Sequence, residues 1–337
     1  SSLFVFVGFT VFVYGGGVAN PTFPIFWNVD ESVAPPVDVT KYGFVSRTMT
    51  QVGNSCSNKG CKPWTQGVFP TINYETGKIV NGGVPQNGDL NLHLTTIEET
   101  LPGWIPDSNW NGNAVLDFES WTTVWDLNVG SGSWHSKVYQ NYSIELMKNK
   151  YPSLNETEIY TKAKNAFEDA ATNWFVATLE KCKEIRPNAN WGFYGLPINN
   201  GECVGTGENV KCGYDNPHLS DVLKKYAEQQ MPIWKASDIL YPSIYIPTPF
   251  KGKDAFSKAY IVSTVNETLR LAAASSSSSS KPKAVLPYAW HYYHDGSEVL
   301  DDTLVHESLQ IPCELGANGV VMWGSSLQMK NSSYWNL

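Results

Sequence analysis

Gly112-Asn-Ala-Val-Leu-Asp-Phe-Glu-Ser-Trp121 is a short apolar run that ends in two acids, Asp117 and Glu119. In an extended strand, residues two apart project to the same side, so the two carboxyls share one face about 6 to 7 Å apart along the backbone. Crowded carboxyls repel as anions, and one of them then tends to keep a proton at neutral pH, as a general acid must. A bare Asp-x-Glu is a weak motif. Its weight depends on what the rest of the chain places around it.

Working outward, short apolar runs alternate with longer amphipathic ones. Strands are expected at Phe23 to Asn28, Ala114 to Phe118, Trp191 to Tyr194, Leu240 to Tyr245, Val285 to Tyr288 and Gly319 to Trp323, with one more between Gly43 and Phe69. Helical patterns fall between them, at Asp89 to Leu101, Tyr139 to Lys150, Glu156 to Arg186, Leu219 to Gln230, Lys253 to Ala274 and Leu304 to Leu315. Strand then helix, repeated about seven times, reads as an α/β barrel rather than an open sheet. The expectation is a distorted (β/α)7 TIM-like barrel in a single domain, and 337 residues with no composition break suit one. Barrel enzymes carry their chemistry at the carboxyl ends of the strands. Those ends hold Trp27 and Asn28, Asp117 and Glu119, Tyr194, Tyr245, Tyr288 with Trp290, and Trp323. Sugars present flat C–H faces that stack on aromatic rings, and hydroxyls that bond Tyr and Asn, so this concentration points to a carbohydrate groove.

Composition narrows the alternatives. The net charge is −8 with only three arginines (Arg47, Arg186, Arg270), which argues against nucleic acid and against steering a polyanion by overall field. The apolar run Leu3 to Tyr14, closing on Gly17-Val-Ala19, is too short to span a bilayer and resembles a secretory signal without its start. Residues 1–19 are therefore expected to be a partial signal peptide, with mature protein from near Asn20. Sequons at Asn141, Asn155, Asn266 and Asn331 agree with a secreted glycoprotein. Cys203 and Cys212 bracket a Gly-rich loop and Cys56 and Cys61 a tight polar turn, so each pair is expected to bridge locally; Cys182 and Cys313 are left open between free thiols and a bridge. No metal is expected, since the six histidines show no ligand spacing beyond His291 and His294, read as surface polarity.

These residues carry a resemblance to the hyaluronidases of glycoside hydrolase family 56, of the secreted or venom type. The matching strings are Phe23-Pro-Ile-Phe-Trp-Asn28, Gly82-Gly-Val-Pro-Gln86 with His93-Leu94, Val115-Leu-Asp-Phe-Glu-Ser-Trp121, Trp191-Gly-Phe-Tyr-Gly195, Tyr241-Pro-Ser-Ile-Tyr-Ile-Pro247, Val285-Leu-Pro-Tyr288 and Trp323-Gly-Ser-Ser326. They span nearly the whole mature chain in the family's order, with a poor match from Asp30 to Trp64. The family 18 chitinases also end a barrel strand in acids, but their pattern is D-x-D-x-E, and Val115 stands where the first Asp should be.

The resemblance implies hydrolysis of internal β-1,4 bonds between N-acetylhexosamine and glucuronate, with retention and with the substrate's acetamido oxygen as nucleophile. Glu119 would be proton donor and then base, and Asp117 would orient the acetamido N–H. Tyr194 and Tyr245 would position the sugar, Trp323 would wall the acetamido pocket, and Tyr288 and Trp27 would complete the binding surface. No cofactor is implied; the partner is hyaluronan or chondroitin. Two departures matter. Thr122 follows Trp121 where relatives commonly carry an Arg that can pair with a uronate, leaving Lys251 or Lys253 as alternative readers or a drifted substrate preference. A cysteine expected after the first strand and its C-terminal partner are both missing, so the recorded chain is expected to be truncated at its C-terminus as well. A chondroitin-preferring hydrolase and a catalytically weak glycan-binding protein are the alternatives to a hyaluronan hydrolase.

Overall fold

The computed structural model describes residues 23–28, 68–276, 283–294, 296 and 298–324, with the backbone of short strands at 44–45, 49–53, 56–57 and 60–61. The expected signal segment and the sequon at Asn331 lie outside the described residues. Contacts group the chain into two compact units, one of residues 51–193 and 228–238, the other of residues 1–50, 194–227 and 239–337.

In the first unit, Asn113–Asp117 pairs in parallel with Asn190–Phe193. The helices are α1 (Leu90–Trp104), α2 (Val138–Lys150), α3 (Glu156–Ile185) and, later in the chain, α5 (Met231–Ala236). Asp89 caps α1 by accepting the Leu92 N–H, and α1 buries His93, Ile97 and Leu101, a stripe of three residues spaced four apart. The long α3 starts on a capping box, Asn155 with Glu158, and its buried face runs Ile159, Ala163, Phe167, Ala171, Trp174 and Phe175, Thr178, Cys182. Each fourth residue looks inward. The single buried thiol of Cys182 is free.

In the second unit, parallel strands lie in the order Phe44–Val45, Ile25–Asn28, Val320–Trp323, Tyr288–Trp290. Single parallel bridges extend the pairing at Ser243↔Tyr288 and Tyr194↔Tyr241. The helices here are α4 (Ser220–Gln229), α6 (Asp254–Ser275) and α7 (Asp302–Leu315). Helix α7 stops at Gly316, whose φ of 92° is a left-handed cap that glycine takes without a Cβ penalty.

The expected elements appear, with three edits that proline explains. The run expected from Leu240 to Tyr245 is a strand only at Ile239–Leu240, because Pro242 has no N–H to offer the ladder; its carbonyl still accepts the Tyr288 N–H at 2.8 Å. Pro287 likewise divides Val285 to Tyr288 into Ala284–Val285 and Tyr288–Trp290. The pattern from Leu219 to Gln230 is followed directly by α5, with Pro232 in its first turn. Cys203 and Cys212 face each other across an antiparallel pair and form a disulfide. Cys56 and Cys61 are register partners in a two-residue hairpin, and their side chains lie outside the described residues. Cys313 is free and half-buried.

Candidate active site

The strand Asn113–Asp117 buries Ala114, Val115 and Leu116, and the chain emerges with Asp117 and Glu119 partly open to solvent. Between them Phe118 turns inward, where it stacks on Phe69 at 4.1 Å and meets Trp121 edge-on at 4.8 Å. Trp121 is anchored in turn by its indole N–H, which donates to the carbonyl of Pro70 at 2.7 Å. Locking 118 and 121 into an aromatic core leaves 117 and 119 on the opposite side, as the two-residue period requires.

Electrostatics make the pair asymmetric. Burial above all, then the negative charge of Asp117, then a hydrogen bond with Asp117, raises the pKa of Glu119 from 4.5 to about 8. Glu119 is therefore a protonated acid at neutral pH, hydrogen-bonded to its neighbour. The backbone around it is held from two further directions. The His135 N–H donates to the carbonyl of Glu119 at 3.1 Å, and the Ser136 N–H to that of Ser120 at 3.3 Å. The Tyr139 hydroxyl bonds Ser120 as well as the backbone of Ile72. Burial depresses the His135 pKa to about 4, so this neighbouring ring is neutral where Glu119 is still protonated. Neither His135 nor Tyr139 carries a sequence signal, because each reaches the acid from 16 or more residues downstream.

In the other unit, parallel register sorts the strand ends into two rows. Trp27, Met322 and Ala289 are neighbours in one row, and Asn28, Trp323 and Trp290 in the next. Met322 and Ala289 belong to the hydrophobic core and Trp27 packs against that same core. Asn28 looks the other way and donates to the Tyr288 hydroxyl at 2.8 Å. The expected binding residue Trp27 is thus on the core face, and its neighbour Asn28 is on the aromatic one, a consequence of strand parity.

Tyr194, Tyr245, Tyr288 and Trp323 do come together. Tyr194 packs edge-on to Tyr288 at 4.9 Å and tilts on Tyr245 at 6.1 Å; Tyr245 stacks on Trp323 at 5.8 Å. Trp290 completes the group, 4.8 Å from Trp323 and 5.7 Å from Tyr245. Tyr245, Tyr288 and Trp290 are buried, while Tyr194 and Trp323 are part-exposed at its rim.

The positions raised as uronate readers are otherwise engaged. Thr122 is 2% exposed, its backbone clamped by the Asn128 side chain at 2.9 Å on both sides, so its side chain is not on a solvent-facing wall. Lys251 is ion-paired to Glu298, and Lys253 lies 5.5 Å over the Phe256 ring. His291 is not a freely solvated side chain, since burial pulls its pKa to about 4. Among the described residues no His/Cys/Asp/Glu group could hold a metal ion, and no helix is long and apolar enough to cross a membrane.

Comparison with known proteins places this geometry. Residues 18–336 match the family model of hyaluronidase, glycoside hydrolase family 56. The chain is 29% identical over 319 residues to hyaluronidase Tab y 2.0101 of Tabanus yao, covering 92% of this chain and 86% of that one. It is 30% identical over 328 residues to a hyaluronidase of Polistes annularis, covering 92% and 82%. The crystal structure of bee venom hyaluronidase in complex with a hyaluronic acid tetramer superposes with a TM-score of 0.75 at 25% identity, over 92% of this chain and 93% of that one. The fold is accordingly the TIM-like α/β barrel expected from the strand and helix pattern. Strand ends, paired acids and whole-chain similarity agree, and the chain belongs to the hyaluronidase family, glycoside hydrolase family 56.

Proposed function

We propose that this hyaluronidase is a secreted, retaining endo-β-N-acetylhexosaminidase that cleaves internal β-1,4 bonds between N-acetylhexosamine and glucuronate in hyaluronan. The bee venom relative has been solved in complex with a hyaluronic acid tetramer. The observation that carries the mechanism is the direct hydrogen bond between Glu119 and Asp117. A nucleophile and acid pair needs carboxyls about 5 to 5.5 Å apart, and an inverting pair about 6.5 to 9.5 Å, with the sugar between them. Two carboxyls bonded to each other leave no such gap, which favours a nucleophile supplied by the substrate.

Glu119 gives its proton to the glycosidic oxygen as the bond from C1 breaks. The acetamido carbonyl oxygen forms the new bond to C1, and Asp117 accepts the acetamido N–H and stabilises the positive charge of the cyclised intermediate. The Glu119 carboxylate then takes a proton from water as that water adds to C1 and the bond from C1 to the acetamido oxygen breaks, restoring the acid, the acetamide and the original configuration. By family resemblance, Tyr194 and Tyr245 hold the acetamido group and its sugar, Trp323 walls the acetamido methyl, and Tyr288 is kept in place by Asn28.

Secretion is supported by the apolar N-terminal run and by the exposure of the sequon residues Asn141, Asn155 and Asn266. The test measures reducing ends released from hyaluronan and from chondroitin by wild type and Glu119→Gln, with N-acetylglucosamine thiazoline as inhibitor. Cleavage of hyaluronan, its loss in the variant and inhibition by the thiazoline are expected. A variant that keeps wild-type turnover refutes the role of Glu119. Faster release from chondroitin shifts the substrate assignment, and insensitivity to millimolar thiazoline removes the acetamido step.

A further inference from the structure

Among the described residues, Trp134 is the most exposed large apolar side chain after Val129, at 61%, and both sit in the loop Val129–Ser136. The loop is compact. The Gly130 N–H donates to the His135 carbonyl at 2.8 Å, the Lys137 N–H to the Gly130 carbonyl at 2.9 Å, and Gly130 and Ser136 form a parallel bridge. Gly130 is required, because a Cβ there would lie 2.2 Å from the Trp134 carbonyl oxygen.

The same loop is bonded to the catalytic segment. The His135 and Ser136 N–H groups reach the Glu119 and Ser120 carbonyls at 3.1 and 3.3 Å. That sets the loop backbone one strand spacing, about 5 Å, from the backbone of the acid. His135 does this at φ 40°, a left-handed conformation that a residue with a Cβ rarely takes and that persists where its surroundings fix it. One residue before this strained histidine, Trp134 keeps more than half of its side chain accessible. Its neighbour is half-buried and pinned through its backbone, while the Trp134 side chain is largely exposed.

We infer that Trp134 is a sugar-stacking platform of an outer subsite, receiving the C–H face of a ring of the bound hyaluronan chain beyond those at the scissile bond. Axial C–H bonds of a β-linked hexose carry partial positive charge and meet the negative face of an indole, the same quadrupole attraction that orients aromatic pairs. No charge is needed at this contact, which suits a chain with net charge −8 that must grip a polyanion. This inference rests on the reading of the protein as a hyaluronan hydrolase and adds to it a contact for polymer length.

The experiment measures affinity separately from turnover. In the Glu119→Gln background, hyaluronan oligosaccharides from tetrasaccharide to decasaccharide are titrated by calorimetry against Trp134, Trp134→Ala and Trp134→Phe proteins. Trp134→Ala is expected to weaken the longer oligosaccharides ~5- to 10-fold and the tetrasaccharide within twofold, while Trp134→Phe keeps most of the affinity. In the otherwise wild-type enzyme, Trp134→Ala should raise KM for the polymer by a similar factor with kcat within twofold. Equal affinities for all three proteins at every length overturn the subsite while leaving the reaction assignment intact. Binding without cleavage by the wild type overturns the reaction and leaves the subsite standing. Absence of any binding removes both.

Discussion

The carboxyl of Glu119 is hydrogen-bonded to that of Asp117, two positions back along the chain. This contact and the Asp117 charge both favour the protonated form of Glu119, so activity that needs the acid should fall as pH rises through about 8. Asp117→Asn removes the charge, and the alkaline limb of the kcat/KM profile should move to lower pH. Glu119→Gln should lose about 10²- to 10⁴-fold in kcat. A pH profile of Asp117→Asn that overlays wild type on its alkaline side would show that the coupling is absent.

The same group links pH to stability. Unfolded, Glu119 titrates near 4.5, and folded near 8, so between these values the folded state holds a proton that the unfolded state has released. Folded stability from this group is greatest below 4.5 and declines as pH rises toward 8. Glu119→Gln has no such titration. Its melting temperature relative to wild type should therefore climb between about pH 4 and pH 8.5, a trend that scanning calorimetry reads directly. A constant difference across that range contradicts the raised pKa.

Asn28 and Tyr288 join the first strand to the aromatic group through one 2.8 Å bond. Asn28→Ala and Tyr288→Phe should each cost about 0.5 to 1.5 kcal/mol, and the double variant should cost less than the sum by a comparable amount. Denaturant unfolding of the four proteins gives the coupling energy. Strict additivity would mean the bond adds nothing to stability.

The Cys203–Cys212 bridge closes a short loop beside α6, where Cys212 is fully buried. Replacing both cysteines with Ser should lower stability by about 2 to 3 kcal/mol, chiefly by freeing the unfolded chain. Unfolding midpoints under reducing conditions should then coincide for wild type and the double variant.

Much of this was legible in the sequence, and particular residues show why. The two-residue period of a strand puts Asp117 and Glu119 on one face. That argument needs only local geometry. It fails one position away at Trp27 and Asn28, because which parity faces the core depends on neighbouring strands, Val320–Trp323 and Tyr288–Trp290, that no local pattern specifies. Pro242 and Pro287 interrupt two of the expected strands because neither can donate to a ladder. The Val129–Ser136 loop and the inward face of Thr122 were beyond reach for a different reason. Both are set by hydrogen bonds between segments distant in the chain or by a single Asn, and carry no periodicity.

Asn155 caps a helix and is also a proposed glycan acceptor. Its Oδ1 caps α3, while the sequon chemistry of Asn155-Glu-Thr157 would use only Nδ2. A glycan there is compatible with the helix, but the usual way of deleting one is not: Asn155→Gln would also break the capping box, at a cost of about 1 kcal/mol. A loss of secretion or yield in that variant would then record a frayed helix rather than a missing sugar. Thr157→Ala removes the acceptor sequence and leaves the cap untouched, and it is the change that separates glycan from scaffold.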